Sequence, residues 1–216
     1  EAIMKRLFDL TRRYKRLQFG FKNRFFTAVT LLILSYCSHT YSLELLASLP
    51  SLTIKSYGEI VLGDNSTDSL NDRKAKFVPW SSEQLTGTVT LLQVLAASQK
   101  AADLNKRYLD QFSARFENNT HVDSATIIVS DNIPGMLGGF VKKEIKKNKL
   151  LHPRAIMVND KQALSRSTWQ LPETMAILIL LDHRGIIQHY HEGQLTPEQE
   201  RLWLLKTEQL VNQAQQ

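Results

Sequence analysis

A mixed α/β fold, one central sheet flanked by helices, is predicted by three features of the sequence. Residues 88–95 (TVTLLQVL), 125–129 (ATIIV) and 175–181 (MAILILL) are nearly continuous apolar runs of strand length, as strands covered on both faces require. Between the first two lies a helical stripe, Ala101, Leu104, Tyr108, Phe112 and Phe116, spaced by three or four residues. After the third run comes a turn, Asp182-His183-Arg184-Gly185, and a return strand. A strand, helix, strand unit pairs in parallel and a short turn pairs antiparallel, so the sheet is mixed.

The remaining elements follow from local chemistry. Residues 52–54 and 60–62 flank Tyr57-Gly58-Glu59, which predicts an N-terminal β-hairpin extension turning at those residues. Residues 63–76 are polar and read as a loop; Phe77-Val78-Pro79-Trp80 returns to the core, ahead of a helical turn at 82–85 and a stop at Gly87. Ser98 caps the helix that carries the stripe, because its hydroxyl can accept from a free backbone N–H of the first turn. Gly138-Gly139 opens another helix through Leu150, residues 155–158 form a short strand, and Trp169 is anchored near it. In the turn at 182–185, Gly185 stands where a positive φ is needed, and residues 186–191 return antiparallel. The last helix starts with Thr196 as N-cap, Pro197 at the first position, Glu198 for the dipole and Gln199 completing a capping box, and runs to about Gln213. Strand, helix, strand, helix, antiparallel hairpin, helix is the thioredoxin-like order; ferredoxin-like folds, the competing mixed α/β class, place the hairpin differently between the helices.

Charge and cysteine divide the chain in two. The net charge is +6, but residues 1–42 hold eight of the 27 Lys and Arg against two of the 21 Asp and Glu, so the remainder carries 19 of each and is neutral. That first segment is a basic stretch, then the uncharged residues 25–37 (FFTAVTLLILSYC), then small polar residues, which is the layout of a secretory signal. The apolar stretch is short of the roughly 20 residues that span a membrane. We therefore expect residues 1–42 to be a signal peptide cleaved before Leu43, and residues 43–216 to be a single domain in the periplasm. If the signal is not cleaved, residues 25–37 are its only membrane contact; lipidation at Cys37 is disfavoured by the bulky Tyr36 before it. A nucleic-acid partner is not expected, since the basic excess lies in the export segment and not on a domain face. The one cysteine, Cys37, lies in the same segment, so the exported domain has no disulfide to form.

Specific residues then become familiar. Phe77-Val78-Pro79-Trp80-Ser81 through Gly87, Asp131-Asn132-Ile133-Pro134-Gly135, Trp169-Gln170-Leu171, Leu181-Asp182 with Gly185, and Gly193-Gln194-Leu195-Thr196-Pro197-Glu198 resemble the YtfJ family of small exported thioredoxin-like proteins of Gram-negative bacteria. The resemblance spans nearly all of residues 43–216 and implies the thioredoxin-like fold and a periplasmic address. It implies little about activity.

Thioredoxin-like enzymes place Cys-x-x-Cys at the turn from the first core strand into the following helix, where the helix terminus lowers the thiol pKa. Here that turn reads Leu95-Ala96-Ala97-Ser98-Gln99-Lys100-Ala101, with no thiol, and neither Met175 nor Ala176 supplies the proline such enzymes carry before the hairpin. Thiol-disulfide exchange and thiol peroxidase chemistry are therefore not expected of the exported domain. Ser98 has no evident His and carboxylate partner and reads as a cap, not a nucleophile. The candidate ligand or partner surface is the turn at Ala97, Ser98 and Gln99 with the loop Asp131, Asn132, Pro134, Gly135, Gly138, Gly139 and the following Lys142, Lys143, Lys146 and Lys147, suited to acidic groups. His189 and His191 share one strand face near Glu192 and His183, which makes them the only candidate metal ligands. No cofactor is expected. The function read from the sequence is a redox-inactive exported domain that binds an envelope protein or small ligand; the alternative is a non-thiol, metal-assisted enzyme on the same scaffold.

Overall fold

The computed structural model describes residues 43–63, 75–134 and 138–215. The segment read as a signal, most of the polar loop after residue 63, and Gly135 of the glycine-rich loop lie outside the described residues. In chain order the elements are β1 (Thr53–Leu62), β2 (Ala75–Ser81), a 3-10 turn (Ser82–Leu85), β3 (Val89–Ala96), α1 (Gln99–Asp103), α2 (Lys106–Phe116), β4 (Val122–Val129), α3 (Gly138–Leu151), β5 (Ile156–Asp160), α4 (Leu164–Trp169), β6 (Ala176–Leu181), β7 (Ile187–Glu192) and α5 (Pro197–Ala214). The strands form one sheet in the order β2-β1-β5-β4-β3-β6-β7.

The apolar runs occupy the middle of that sheet. Seven of the eight residues of β3 are buried and all six of β6 are, because both faces are covered. β3 pairs in parallel with β4 and antiparallel with β6, β4 pairs in parallel with β5, and β6 pairs antiparallel with β7. Alternate residues feed two layers. On one face Val89, Leu91, Leu178 and Leu180 pack against Tyr108 and Phe112 of α2 and against Trp203 and Leu204 of α5. On the same face, nearer β1, Ile145 of α3 packs with Ile60 and Met157. On the other face Leu92, Val94, Ile127 and Ile179 pack against Trp169 of α4 and Leu52. Trp169 is wholly buried, and its indole N–H donates to the Pro50 carbonyl at 2.8 Å, which pins the entering chain over this layer.

The predicted caps form. Ser98 Oγ accepts from Ala101 N, and Thr196 and Gln199 make the reciprocal capping box with Pro197 in the first turn. Gly185 has φ +78, as the turn at 182–185 demands.

Two expectations are corrected. Tyr57-Gly58-Glu59 is not a hairpin turn: β1 continues past it, and the register against β2 shifts between Ile54, opposite Trp80, and Glu59, opposite Val78. The feature is a β-bulge with Tyr57 at φ +68 and Gly58 at φ +56, and the N-terminal hairpin is β1 with β2. Secondly, the helix expected to run unbroken from Ser98 is two helices. Leu104 is only half-buried, and the buried residue is Asn105, whose side-chain amide donates to Gly193 O and accepts from Leu195 N, both at 2.9 Å. A side chain that satisfies backbone from the α5 approach outweighs one more turn of regular helix. The lysines of α3 differ in their surroundings. Lys142 lies over the Phe77 ring, Lys147 pairs with Glu144, and a further lysine, Lys149, is buried.

The bulge carries its own test. A Cβ on Gly58 would lie 2.1 Å from the Val78 carbonyl oxygen, in a backbone conformation that L side chains adopt at a cost. Gly58→Ala is expected to destabilise the fold by about 2 kcal/mol or more. An unchanged urea midpoint would contradict the bulge geometry.

Candidate functional site

The parallel strands β3, β4 and β5 end together, and their C-terminal edge is where open α/β sheets expose ligand-binding crevices. Backbone hydrogen bonds lace the edge: Ala96 N donates to Met175 O, Ala97 N to Val129 O and Ser130 N to Asp160 O, each at 3.0 Å. The turn read as the counterpart of a Cys-x-x-Cys site therefore lies directly beside the residue that enters β6. Ala97 is half-buried, while Ser98 and Gln99 are exposed. Ser98 Oγ is used as the α1 cap, and Gln99 donates to Asp103 at 2.9 Å. Among the described residues no hydrogen bond joins Ser98 to a histidine or a carboxylate.

The second candidate segment starts at the same edge. Asp131, Asn132 and Pro134 follow β4 and are exposed. Gly138 and Gly139 open α3, and a Cβ on either would meet nothing within 4 Å, so neither glycine is there to admit a close neighbour. Lys142 and Lys143 are exposed on the first turns of α3. The edge thus brings the turn at 97–99 and the loop at 131–134 onto one rim, as the parallel pairing of β3 with β4 requires.

His189 and His191 do not converge on a common point. The His189 ring stacks on Trp203 at 5.3 Å, and burial, helped by the Lys206 charge, pushes its pKa down. The His191 ring contacts Gln194 O at 3.1 Å, while Glu192 is engaged by the Tyr190 hydroxyl at 2.9 Å. Among the described residues no group of three or more His, Cys, Asp or Glu is placed to hold a metal ion.

Sequence reasoning missed the polar knot beneath the rim. Asp160, fully buried at the end of β5, accepts from Leu164 N at 2.9 Å and from both Ser165 N and Ser165 Oγ at 2.7 Å. A fourth, longer bond comes from Gln162 N at 3.3 Å. Beside it, Ser130 Oγ donates to Asn159 Oδ1 at 2.6 Å. The signal was present as Asp160 four and five residues before Leu164 and Ser165, an N-terminal acceptor for a short helix.

With this geometry in view, comparison with known proteins is decisive about kinship. Residues 43–208 match the family described as "Bacterial protein of unknown function (YtfJ_HI0045)". The chain belongs to the YtfJ family. An uncharacterised Haemophilus influenzae protein is 31% identical over 175 residues, covering 81% of this chain and 91% of its own length. The Escherichia coli K12 protein YtfJ, also uncharacterised, is 28% identical over 173 residues, covering 80% and 89%. Among solved structures, the thioredoxin domain of a thiol-disulfide oxidoreductase from Bacteroides vulgatus superposes with a TM-score of 0.51 at 15% identity, covering 76% of this chain and 98% of its own. A candidate thiol:disulfide interchange protein DsbE from Chlorobium tepidum gives 0.50 at 15% identity, covering 80% and 99%. At such identity these two show the fold alone. YtfJ kinship and the thioredoxin-like sheet agree with the order of elements read from the sequence.

Proposed function

We propose that this YtfJ-family chain is an exported periplasmic domain that keeps a thioredoxin-like scaffold without thiol chemistry and uses the C-terminal rim of its sheet to bind an envelope protein or small ligand. The observation that carries this reading is the turn Ala96-Ala97-Ser98-Gln99. It joins the central strand β3 to α1 and touches the residue before β6, yet has no sulfur, and the chain's one cysteine is Cys37. The solved neighbours described as thiol-disulfide proteins act by a chemistry that needs a thiolate. The export reading rests on the basic, then apolar, then small-residue layout of residues 1–42 and on the neutrality of the rest.

Two measurements test it together. In an insulin-reduction assay with dithiothreitol the protein is expected to leave the rate at its uncatalysed value; acceleration would contradict redox inactivity. In affinity capture from an envelope extract, a partner retained by the wild type is expected to be lost when Gln99 and Asn132 are both changed to Glu, which sets two negative charges on a rim suited to acidic groups without touching the core. Retention unchanged by that pair would move the binding surface elsewhere.

A further inference from the structure

The bulge in β1 presents an aromatic side chain at some cost. Tyr57 sits at φ +68, a region that Gly or Asn enters more cheaply, and the residue is 43% exposed. The ring is one member of a continuous row. Lys161, the residue after β5, holds its ammonium 4.9 Å above the Tyr57 centroid and reaches the Tyr57 hydroxyl at 3.3 Å. Tyr57 meets Phe77 of β2 edge to face at 5.8 Å, and Lys142 of α3 lies 5.8 Å from the Phe77 centroid. Four elements of separate sequence origin thus build a row of cation, ring, ring, cation on the surface.

Charge decides what the row suits. Neither Lys142 nor Lys161 has a carboxylate partner among the described residues. Among the described residues, Glu59 on β1 pairs with Lys149 and Glu144 on α3 pairs with Lys147. Two ammonium groups held on aromatic faces keep part of their charge available to an outside anion while the rings hold them in place. Laid end to end, the three distances equal roughly five residues of extended chain at about 3.3 Å each, which is the most the row can span.

We infer that the Lys161, Tyr57, Phe77, Lys142 row is a docking strip for an extended acidic segment of a partner protein, carboxylates meeting the two lysines and the chain lying across the two rings. This deepens the binding reading above and rests on it, since Lys142 stands where the rim continues onto α3.

The test uses the purified full chain and a fluorescein-labelled hexaglutamate peptide, followed by anisotropy at low and at moderate salt. Binding is expected, weakening as salt rises. The Lys142→Gln, Lys161→Gln pair should weaken it about tenfold or more. Tyr57→Gly should also weaken it while leaving the melting temperature unchanged or raised, because glycine relieves the positive φ; a merely structural tyrosine would give the opposite pattern. Binding untouched by these changes but lost in a Gln99→Glu, Asn132→Glu pair, which sets two negative charges on the rim, overturns the strip and leaves rim binding intact. No binding of the peptide, or preference for a polyuronate oligosaccharide of matched charge, overturns the acidic-protein assignment.

Discussion

Asp160→Ala is expected to lower the unfolding free energy by about 3–5 kcal/mol, a large share of what a domain of this size possesses. The carboxylate lies at zero exposure and accepts three bonds of 2.7–2.9 Å from Leu164 N, Ser165 N and Ser165 Oγ. Alanine leaves those donors buried without acceptors, and each such loss costs about 1–3 kcal/mol. The damage extends beyond the knot. α4 is only six residues long and lacks a side-chain bond from its own N-cap residue, Ala163, so Asp160 holds its start. Its last residue, Trp169, fills the layer opposite α2 and α5. The near-ultraviolet signal of the buried indoles should therefore weaken in native buffer. Asp160→Asn, which keeps one acceptor oxygen, should cost less than the alanine change. A denaturant midpoint within experimental error of wild type for Asp160→Ala would show that α4 is positioned by packing alone.

The second large effect concerns Glu59 and Lys149, a pair 3.8 Å apart whose side chains are 15% and 9% exposed. The Lys149 ammonium also donates to Ala155 O at 2.6 Å. Burial raises the Glu59 pKa above its ordinary 4.5, opposed in part by Lys149; burial likewise lowers that of Lys149 below 10.5, opposed in part by Glu59. Both shifts say that the charged forms are disfavoured here, so the pair is a net cost at neutral pH despite its attraction. The signs follow by linkage. For Glu59 the folded value is raised, so its contribution to stability is fully present below pH 4.5 and is lost as pH rises through the folded value. For Lys149 the folded value is depressed, so its contribution is present above pH 10.5 and is lost as pH falls through the folded value. Glu59→Gln alone leaves a buried ammonium with one carbonyl partner and is expected to cost about 3 kcal/mol. Glu59→Met with Lys149→Met should restore wild-type stability at pH 7 or exceed it, and should flatten the pH profile in both windows. A double variant less stable than Glu59→Gln would reverse this account of the pair.

Local rules and long-range geometry differed in how legibly the sequence announced them. The apolar runs of β3 and β6 could be read because a strand buried on both faces has no polar alternation to hide it, whereas β4, expected to be covered likewise, is fully buried only at alternate residues Ala125, Ile127 and Val129. Thr196-Pro197-Glu198-Gln199 was equally plain, since a capping box is decided within four residues. Tyr57-Gly58 was not, because a turn and a bulge demand the same positive φ, and only the partner strand decides between them. Lys149 was hidden among lysines, although it falls four residues after Ile145 and shares its buried stripe. The rim was half legible. The turn at 96–99 follows from the order of elements and the Asp160 bonds to Leu164 and Ser165 are local, whereas the row from Lys161 to Lys142 exists only once β1 has paired with β2 and β5 and α3 has packed on them.

The central claim is that this fold reaches the envelope with no thiol to use. Its most direct test is the intact mass of the protein isolated from a periplasmic extract, measured before and after alkylation under denaturing, reducing conditions. The account predicts a chain beginning at or near Leu43 whose mass does not change on alkylation. A product that retains Cys37 and gains one alkyl group would contradict it.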